Sequence, residues 1–170
     1  EAQHYCSNFY GCPPQIIGRV QHYISRKAMD LEGLGGETVA LLYNAGLIEN
    51  YADLYDLKKE QIIPLERMAE KSAENLINGI EKSKEVPFER VLYALGIRYV
   101  GETVAKKLAK HYKNIDAIAH ATLLDLVMVD EIGEKIAQSV VQFFENQENI
   151  CIIEELKKVG IQFEINENNS

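Results

Sequence analysis

The chain has 170 residues, 46% of them hydrophobic and 26% charged, which is enough to bury the core of one domain with at most a small appendage. No apolar run is long enough to cross a membrane and no signal-peptide pattern opens the chain, so we expect no membrane partner. The formal net charge of −8 argues against the basic surface that is typical of nucleic-acid-binding domains.

The first segment, residues 1–14, predicts an irregular entry that carries two of the three cysteines. Cys6 and Cys12 are separated by five residues and followed by two prolines, which resembles half of a four-ligand zinc site. Because zinc takes four ligands in a tetrahedron, this pair alone predicts an incomplete metal site. An odd number of cysteines is not typical of a disulfide framework, so we expect a reducing, cytoplasmic location.

Apolar residues recur at helical spacing from Gln15 onward. The predicted elements are a helix from Gln15 to Ala28, a helix ended by Gly46, short helices at 51–57 and 59–63 with a break near Pro64, a helix after residue 69, a helix from Pro87 to Gly96, a helix after Gly101, short helices at 115–120 and 123–127, a helix after Gly133 and a last helix at 150–159. The segment Ile161–Ile165 alternates like a short strand. We therefore expect an all-α fold over residues 15–165, followed by a polar tail at 166–170.

One short sequence recurs through this helical region. The run Gly36-Glu37-Thr38-Val39-Ala40 returns letter for letter at 101–105, and looser copies begin at Ala69 and Gly133. The first residues of the copies are 33, 32 and 32 residues apart, a period that marks one supersecondary unit used repeatedly. The repeat predicts four tandem helix–hairpin–helix motifs joined by short connecting helices.

Each copy places a small residue directly before a helix that opens with an acid. Acids are favoured in the first turn of a helix, where the backbone amides are unpaired, and glycine allows another backbone to come close. Such a turn aims several N–H groups at one point, which suits an anion such as phosphate. The simpler interpretation, a tight connection between helices, explains one copy more readily than four.

The four turns are unequal by composition, and their alignment is ambiguous. Gly33-Leu34-Gly35 has both glycines and predicts the best phosphate cradle, whereas Glu131-Ile132-Gly133 places a carboxylate near the phosphate position. Matching the identical letters pairs Gly36 with Gly101, but the turn pattern pairs Gly35 with it. Leu34, Met68, Val100 and Ile132 are expected to fill the gap between the paired helices.

The cysteine pair before Pro13-Pro14-Gln15, the segments 25–35 and 65–73, and the run 94–97 together carry a family resemblance. On these stretches the chain resembles the C-terminal half of bacterial NAD-dependent DNA ligase, from the cysteines to about Ile161. The resemblance implies the end of a four-cysteine zinc finger at 1–14 and a helix–hairpin–helix DNA-binding domain at 15–165. It also implies that 166–170 is a tail or linker towards a BRCT domain.

The resemblance further implies a sequence-independent clamp on nicked double-stranded DNA, which works with other domains of the same polypeptide in replication and repair. The implied cofactors are zinc in the completed finger, and NAD and magnesium in domains that this sequence does not contain. The Lys-x-Asp-Gly nucleophile motif of the family is absent. We therefore expect no catalytic residue and no ligase activity from these residues alone.

The predicted DNA contacts lie in the four turns and just behind them. They are Gly33, Leu34, Gly35, Gly36, Arg67, Met68, Ala69, Tyr99, Val100, Gly101, Lys106, Ile132, Gly133 and Lys135.

Two other functions remain open at this point. A helical protein–protein interaction module in a DNA-repair complex is favoured by the net charge of −8. A helix–hairpin–helix glycosylase would need a lysine or aspartate in a base pocket just after a hairpin. Lys106 and Asp116 are available, but helical surface and an N-terminal helix position explain them.

Overall fold

The computed structural model describes residues 12–31, 34–66 and 70–165. The α-helices in these residues are α1 (Pro13–Ile24), α2 (Gly36–Asn44), α3 (Lys59–Glu66), α4 (Glu70–Lys82), α5 (Phe88–Ala94), α6 (Glu102–Tyr112), α7 (Ile115–Ala119), α8 (Leu123–Val127), α9 (Glu134–Glu145) and α10 (Gln147–Val159), with 3-10 helices at Tyr51–Asp56 and Ser83–Glu85. The all-α fold class is confirmed, and across the described ranges no helix is long and apolar enough to span a bilayer.

Helix α6 shows why these sequences fold as they do. Its apolar residues Ala105, Leu108 and Ala109 recur at helical spacing and are fully buried. Glu102 lies in the first turn, and Lys113 ends the helix in a left-handed conformation with φ 75°. An isolated helix of 11 residues is only marginally stable in water. Burying a side chain such as Leu108 stabilises the fold by about 1.5–3 kcal/mol, so packing compensates for this weakness.

Consecutive helices pack in pairs, and this pairing positions the turns between them. The packed pairs are α1 with α2, α3 with α4, α5 with α6, and α8 with α9. The turn between α3 and α4, at residues 67–69, lies outside the described residues. The other three turns are described in full or in part, so the candidate site can be built from them.

A chain of buried hydroxyl groups locks the first half of the molecule. The hydroxyls of Tyr23 and Tyr55 are 2.7 Å apart, and that of Tyr55 is 2.9 Å from Ser83 Oγ, which donates to the carbonyl of Ile80. Burial raises the pKa of both tyrosines above its ordinary value, so they stay neutral and hydrogen-bonded. The chain joins α1, the first 3-10 helix and the end of α4.

Side-chain bonds to backbone carbonyls attach the first helix pair to α5. His22 Nε2 lies 2.8 Å from the carbonyl oxygen of Tyr93. The hydroxyl of Tyr51 donates to the carbonyl oxygen of Leu95 at 3.0 Å. The guanidinium of Arg90 donates to the carbonyl of Arg26 at 2.7 Å. These bonds hold the first turn and the third turn in a defined relation.

Two element predictions were wrong in detail. The segment Ile161–Ile165 forms no strand and makes only an antiparallel bridge between Glu164 and Asn114, because Asn114 is a single extended residue between α6 and α7. The predicted break at Pro64 does not occur, and α3 runs through it. Pro64 is exposed, so water can satisfy the carbonyl that its missing N–H would have paired.

The first helix also differs from its prediction. It begins at Pro13, inside the segment assigned to the zinc finger, and ends at Ile24 rather than Ala28. Ser25 ends it, because its hydroxyl and its N–H both donate to the carbonyl of His22. The chain then turns through Asp30, which has a left-handed φ of 53°.

Candidate nucleic-acid interface

The turns between paired helices share one backbone arrangement. We name them hairpin 1 (described at Leu34 and Gly35), hairpin 3 (99–101) and hairpin 4 (131–133); hairpin 2, at 67–69, lies outside the described residues. In each described hairpin the amide of the middle residue donates to the carbonyl three residues earlier. These bonds are Leu34 to Leu31 at 3.3 Å, Val100 to Ile97 at 3.0 Å and Ile132 to Val129 at 3.0 Å.

The middle residue of each described hairpin is buried between the two helices that it joins. Leu34 and Val100 are each 6% exposed and Ile132 is 4% exposed. The prediction that these residues fill the gap between paired helices is confirmed. Their side chains hold the hairpins in place from inside, so any contact that they make with DNA would involve the backbone, and their predicted role as DNA contacts stays a prediction.

The third residue of each hairpin is an exposed glycine that caps the following helix. Gly35, Gly101 and Gly133 have φ of −99°, −88° and −85°, values that any residue adopts. A Cβ added at any of the three would meet nothing within 4 Å. Neither conformation nor packing within the chain therefore requires glycine at these positions.

The same three caps leave the helix amides without an intramolecular partner from a side chain. None of these glycines can provide a cap hydrogen bond, although Ser, Thr, Asn or Asp is usual at this position. The first N–H groups of α2, α6 and α9 thus point outward at the positive end of each helix dipole. This arrangement is suited to an anion that approaches the backbone closely.

The structure resolves the alignment of the repeat in favour of Gly35. Gly35, Gly101 and Gly133 all accept a hydrogen bond from the residue four positions later, so the run of identical letters at Gly36 is displaced by one residue. Helices α2, α4, α6 and α9 begin 34, 32 and 32 residues apart. Gly36 instead packs on α1: its carbonyl accepts from Gln21 Nε2 at 3.0 Å, and a Cβ there would meet the same nitrogen.

The first residue of hairpins 3 and 4 adopts a left-handed conformation. Tyr99 has φ 70° and Glu131 has φ 71°, although residues other than glycine disfavour this region by about 1–2 kcal/mol. The corresponding Gly33 of hairpin 1 lies outside the described residues. Tyr99 is 46% exposed, so its ring is available at the surface beside the cap of α6.

Hairpin 4 carries carboxylates that are paired with hairpin 3. Lys107 Nζ, on α6, lies 3.5 Å from Asp130 Oδ2 and 3.7 Å from Glu131 Oε2. All three side chains are at the surface, where such pairs contribute about 0–1 kcal/mol. The negative charge predicted beside hairpin 4 is therefore present but partly neutralised by Lys107, a residue absent from the predicted site.

The two predicted lysines line different surface clefts. Lys106 is exposed and borders a cleft of about 560 Å³, whose charged lining residues also include Arg26, Lys27, Arg90, Asp30, Glu89 and Glu102. The surroundings of Lys106 are thus mixed in charge. Lys135 is exposed on α9, with Nζ 5.3 Å from the centroid of the Tyr99 ring.

The remaining predicted residues cannot be placed. Arg67, Met68, Ala69 and Cys6 lie outside the described residues, so their roles stay predictions.

Nor do the described residues fit a zinc ion. Cys12 is an exposed free thiol, and no group of three or more His, Cys, Asp or Glu in the described ranges could hold a metal. Cys151 of α10 is disulfide-bonded, which the odd number of cysteines did not predict.

Comparisons with known proteins agree with the geometry of the hairpins. A helix-hairpin-helix motif model matches residues 90–153, and a SAM-like helix-hairpin-helix tandem model matches residues 25–82. The first match contains hairpins 3 and 4, and the second contains hairpin 1. Sequence and structure thus agree on the type of motif.

Similar full-length proteins are bacterial DNA ligases. The chain is 77% identical over 170 residues to a DNA ligase of Flavobacterium psychrophilum, matching 100% of this chain and 26% of that protein. It is 77% identical over 164 residues to one from Flavobacterium johnsoniae, and 56% identical over 162 residues to one from Bacteroides fragilis, matching 96% and 95% of the chain. The chain spans about a quarter of the length of these relatives.

Proposed function

Because the chain belongs to the DNA ligase family and spans its helix–hairpin–helix region, we propose that it binds duplex DNA through the backbone amides of its hairpins. The observation that carries the proposal is the set of cap glycines at Gly35, Gly101 and Gly133. Each leaves helix amides uncapped and keeps the space above them open. A phosphate oxygen can reach such amides only where no side chain intervenes.

This mode of binding is compatible with the acidic composition of the chain. Backbone amides and helix dipoles attract phosphate without any basic side chain, so a net charge of −8 does not prevent local contact. Phosphate contacts also carry no sequence information, which suits a protein that must act on any sequence. If four hairpins each occupy about one phosphate, the log–log salt dependence of the association constant has a slope of about −4.

In the whole ligase we propose that this region holds nicked DNA during replication and repair, while other parts of the polypeptide perform the chemistry. NAD and magnesium would bind in those other parts, and zinc in a completed four-cysteine finger. These residues alone would then bind DNA without sealing it.

The test is fluorescence anisotropy of a labelled nicked duplex across a salt series, comparing the wild-type chain with Gly101→Ser. Serine is a favoured cap, so α6 stays folded, but its side chain occupies the amides and the open space above them. We expect about a tenfold loss of affinity, equal to the loss of one charged hydrogen bond of about 1.4 kcal/mol.

The matched control is Gly18→Ser. Gly18 is an exposed glycine on α1 with nothing within 4 Å of an added Cβ, and it lies outside the hairpins. We expect its affinity to equal that of wild type. Unchanged binding by Gly101→Ser, with circular dichroism showing intact helices, would count against the proposal.

Docking of another protein or domain is a second candidate function, because α8 exposes two large apolar side chains. Leu124 is 77% exposed and Met128 is 83% exposed, and they lie four residues apart on one side of the helix. If the anisotropy assay shows no DNA binding by the folded chain at low salt, this second function becomes the better explanation.

A further inference from the structure

A cluster of one aromatic ring and two cations joins hairpin 3 to the second helix of hairpin 4. Arg98 Cζ lies 4.9 Å from the centroid of the Tyr99 ring, and Lys135 Nζ lies 5.3 Å from it. Both distances are within the range in which a ring attracts a cation. The ring of Tyr99 therefore holds two positive charges that come from different motifs.

Neither cation has an acidic partner within the part of the chain that the structure describes. Arg98 and Lys135 are exposed and make no ion pair there, whereas Lys107, nearby on α6, is paired with Asp130 and Glu131. The charge of the cluster is consequently available to an outside anion. At the turn of hairpin 4, by contrast, the carboxylates of Asp130 and Glu131 are partly neutralised by Lys107.

The conformation of Tyr99 indicates that its side chain has a purpose outside the core. A bulky residue at φ 70° is disfavoured, and glycine would adopt this conformation without strain. The ring is 46% exposed, so packing in the core does not explain a bulky side chain at this position. A strained backbone position that carries an exposed aromatic is an observation from which function can be inferred.

The cluster borders an open notch of about 430 Å³. The described residues that line it include Arg19, Gln138, Ser139, Gln142 and Asn146, and none of the described lining residues is acidic. Amide and hydroxyl groups of this kind can bind the oxygens of a sugar–phosphate chain without selecting a sequence.

A hydrogen bond between α9 and hairpin 3 fixes one side of the notch. Ser139 Oγ, on α9, donates to the carbonyl of Arg98 at 2.5 Å. This bond joins the hairpin 3 turn to the second helix of hairpin 4, so the two cations are carried by one connected unit.

From these observations we propose that Arg98, Tyr99 and Lys135 form a phosphate clamp, which takes the sugar–phosphate backbone of one DNA strand along the notch. Arg98 and Lys135 contact phosphates, and Tyr99 is a positioning residue that holds both cations. The proposal rests on the proposed function, because the clamp continues the path of a strand held by the amides behind Gly101. It gives Tyr99 and Lys135, which the sequence predicted as contacts, specific roles, and it adds Arg98.

The experiment measures nicked-duplex binding across a salt series for Tyr99→Gly, Tyr99→Phe and Glu131→Gly. Tyr99→Gly relieves the left-handed strain, so its stability is retained or raised, but it removes the ring. We expect affinity to fall about fivefold, from the loss of cation positioning, and the salt slope to shrink by about one. Tyr99→Phe keeps a ring that attracts cations, so it should bind within about twofold of wild type.

Glu131→Gly is the matched control at the same position of hairpin 4. It relieves the same strain and removes a carboxylate, so we expect its affinity to be unchanged or higher. Combining Tyr99→Gly with Arg98→Gln should cost less than the sum of the two single losses, because both act on one contact. Additive losses would show that Tyr99 does not position Arg98 and would overturn its assigned role.

The outcomes separate this proposal from the one on which it rests. If Gly101→Ser weakens binding but Tyr99→Gly does not, the hairpin amides bind DNA and the clamp is wrong. If an acidic peptide competes with DNA for the wild type but not for Tyr99→Gly, and the salt slope is unchanged by the variant, the notch binds a protein instead. If the wild type does not bind DNA at low salt, both proposals fail.

Discussion

Helices that follow a described hairpin begin differently from four helices that follow other connections. Helices α2, α6 and α9 begin at glycines that offer no side-chain cap. The other group is capped by a side chain that accepts from a helix amide: the first 3-10 helix by Asn50, α7 by Asn114, α8 by Thr122 and α10 by Asn146. Helices α1 and α5 and the second 3-10 helix also lack a side-chain cap, but their cap residues are Cys12, Pro87 and Lys82. An exposed glycine at the cap is what the three described hairpins share.

We infer from this comparison that one residue of a hairpin stabilises the turn and the next residue serves binding. The buried middle residue stabilises the turn from inside, as Val100 does in hairpin 3. The glycine that follows it contributes little to stability and leaves the amides for a partner. In the four helices that have a side-chain cap, the cap residue stabilises the helix and its amide is not left for a partner.

The middle residue should have the greatest effect on stability. Ile132→Ala removes a side chain that is 4% exposed, and we expect it to lower the free energy of unfolding by about 2–5 kcal/mol. Urea unfolding followed by circular dichroism measures the loss. Ile132→Val keeps most of the volume and should cost about 0.5–1.5 kcal/mol. Equal, small effects of both variants would show that the turn does not depend on its buried residue.

A side-chain cap of the second group should rank next. Asn50 is 2% exposed, and its Oδ1 accepts from the amide of Ala52 at 2.8 Å. Asn50→Ala leaves that amide unpaired and should lower the free energy of unfolding by about 1–2 kcal/mol. The exposed cap Thr122 provides the comparison, and Thr122→Ala should cost about 0.5–1 kcal/mol in the same unfolding experiment. The order would be contradicted if Asn50→Ala unfolded at the wild-type urea concentration.

A hairpin glycine should have the least effect on stability. Gly133→Ser adds a favoured cap in open space, so we expect the free energy of unfolding to rise by at most a few tenths of a kcal/mol. Gly96→Ala is the contrasting control, because Gly96 has φ 79° and alanine there should cost about 1–2 kcal/mol. A large loss for Gly133→Ser would mean that this glycine is structural.

Apolar spacing was sufficient to predict the helices and the buried residues of the hairpins. Leu34, Val100 and Ile132 were identified because each is an apolar residue just before the predicted start of a helix. The identical letters were less informative. They matched Gly36 with Gly101, whereas the residue that corresponds to Gly101 as a helix cap is Gly35. A cap is defined by hydrogen bonding, and sequence identity does not record hydrogen bonds.

Features that depend on distant residues could not be predicted. The alternation of Ile161 and Phe163 did predict burial, but a strand also needs an extended partner, and only Asn114 was available. The closeness of Arg98 and Lys135 to one ring depends on how hairpins 3 and 4 pack, which local spacing does not encode. The left-handed conformation of Tyr99 was not predicted either, because a bulky residue rarely adopts it.

The pairing of Lys107 with Asp130 and Glu131 bears on which hairpin would meet DNA first. At about 0.1 M salt, charges more than about 10 Å away are largely screened, so an approaching strand responds to the nearest groups. Those groups are Arg98 of hairpin 3, Lys135 of α9, which lies against the Tyr99 ring of hairpin 3, and the carboxylates of hairpin 4; neither cation has an ion pair among the described residues. On the proposed function, DNA would therefore land on hairpin 3 first, and hairpin 4 would engage afterwards and govern how long the complex lasts.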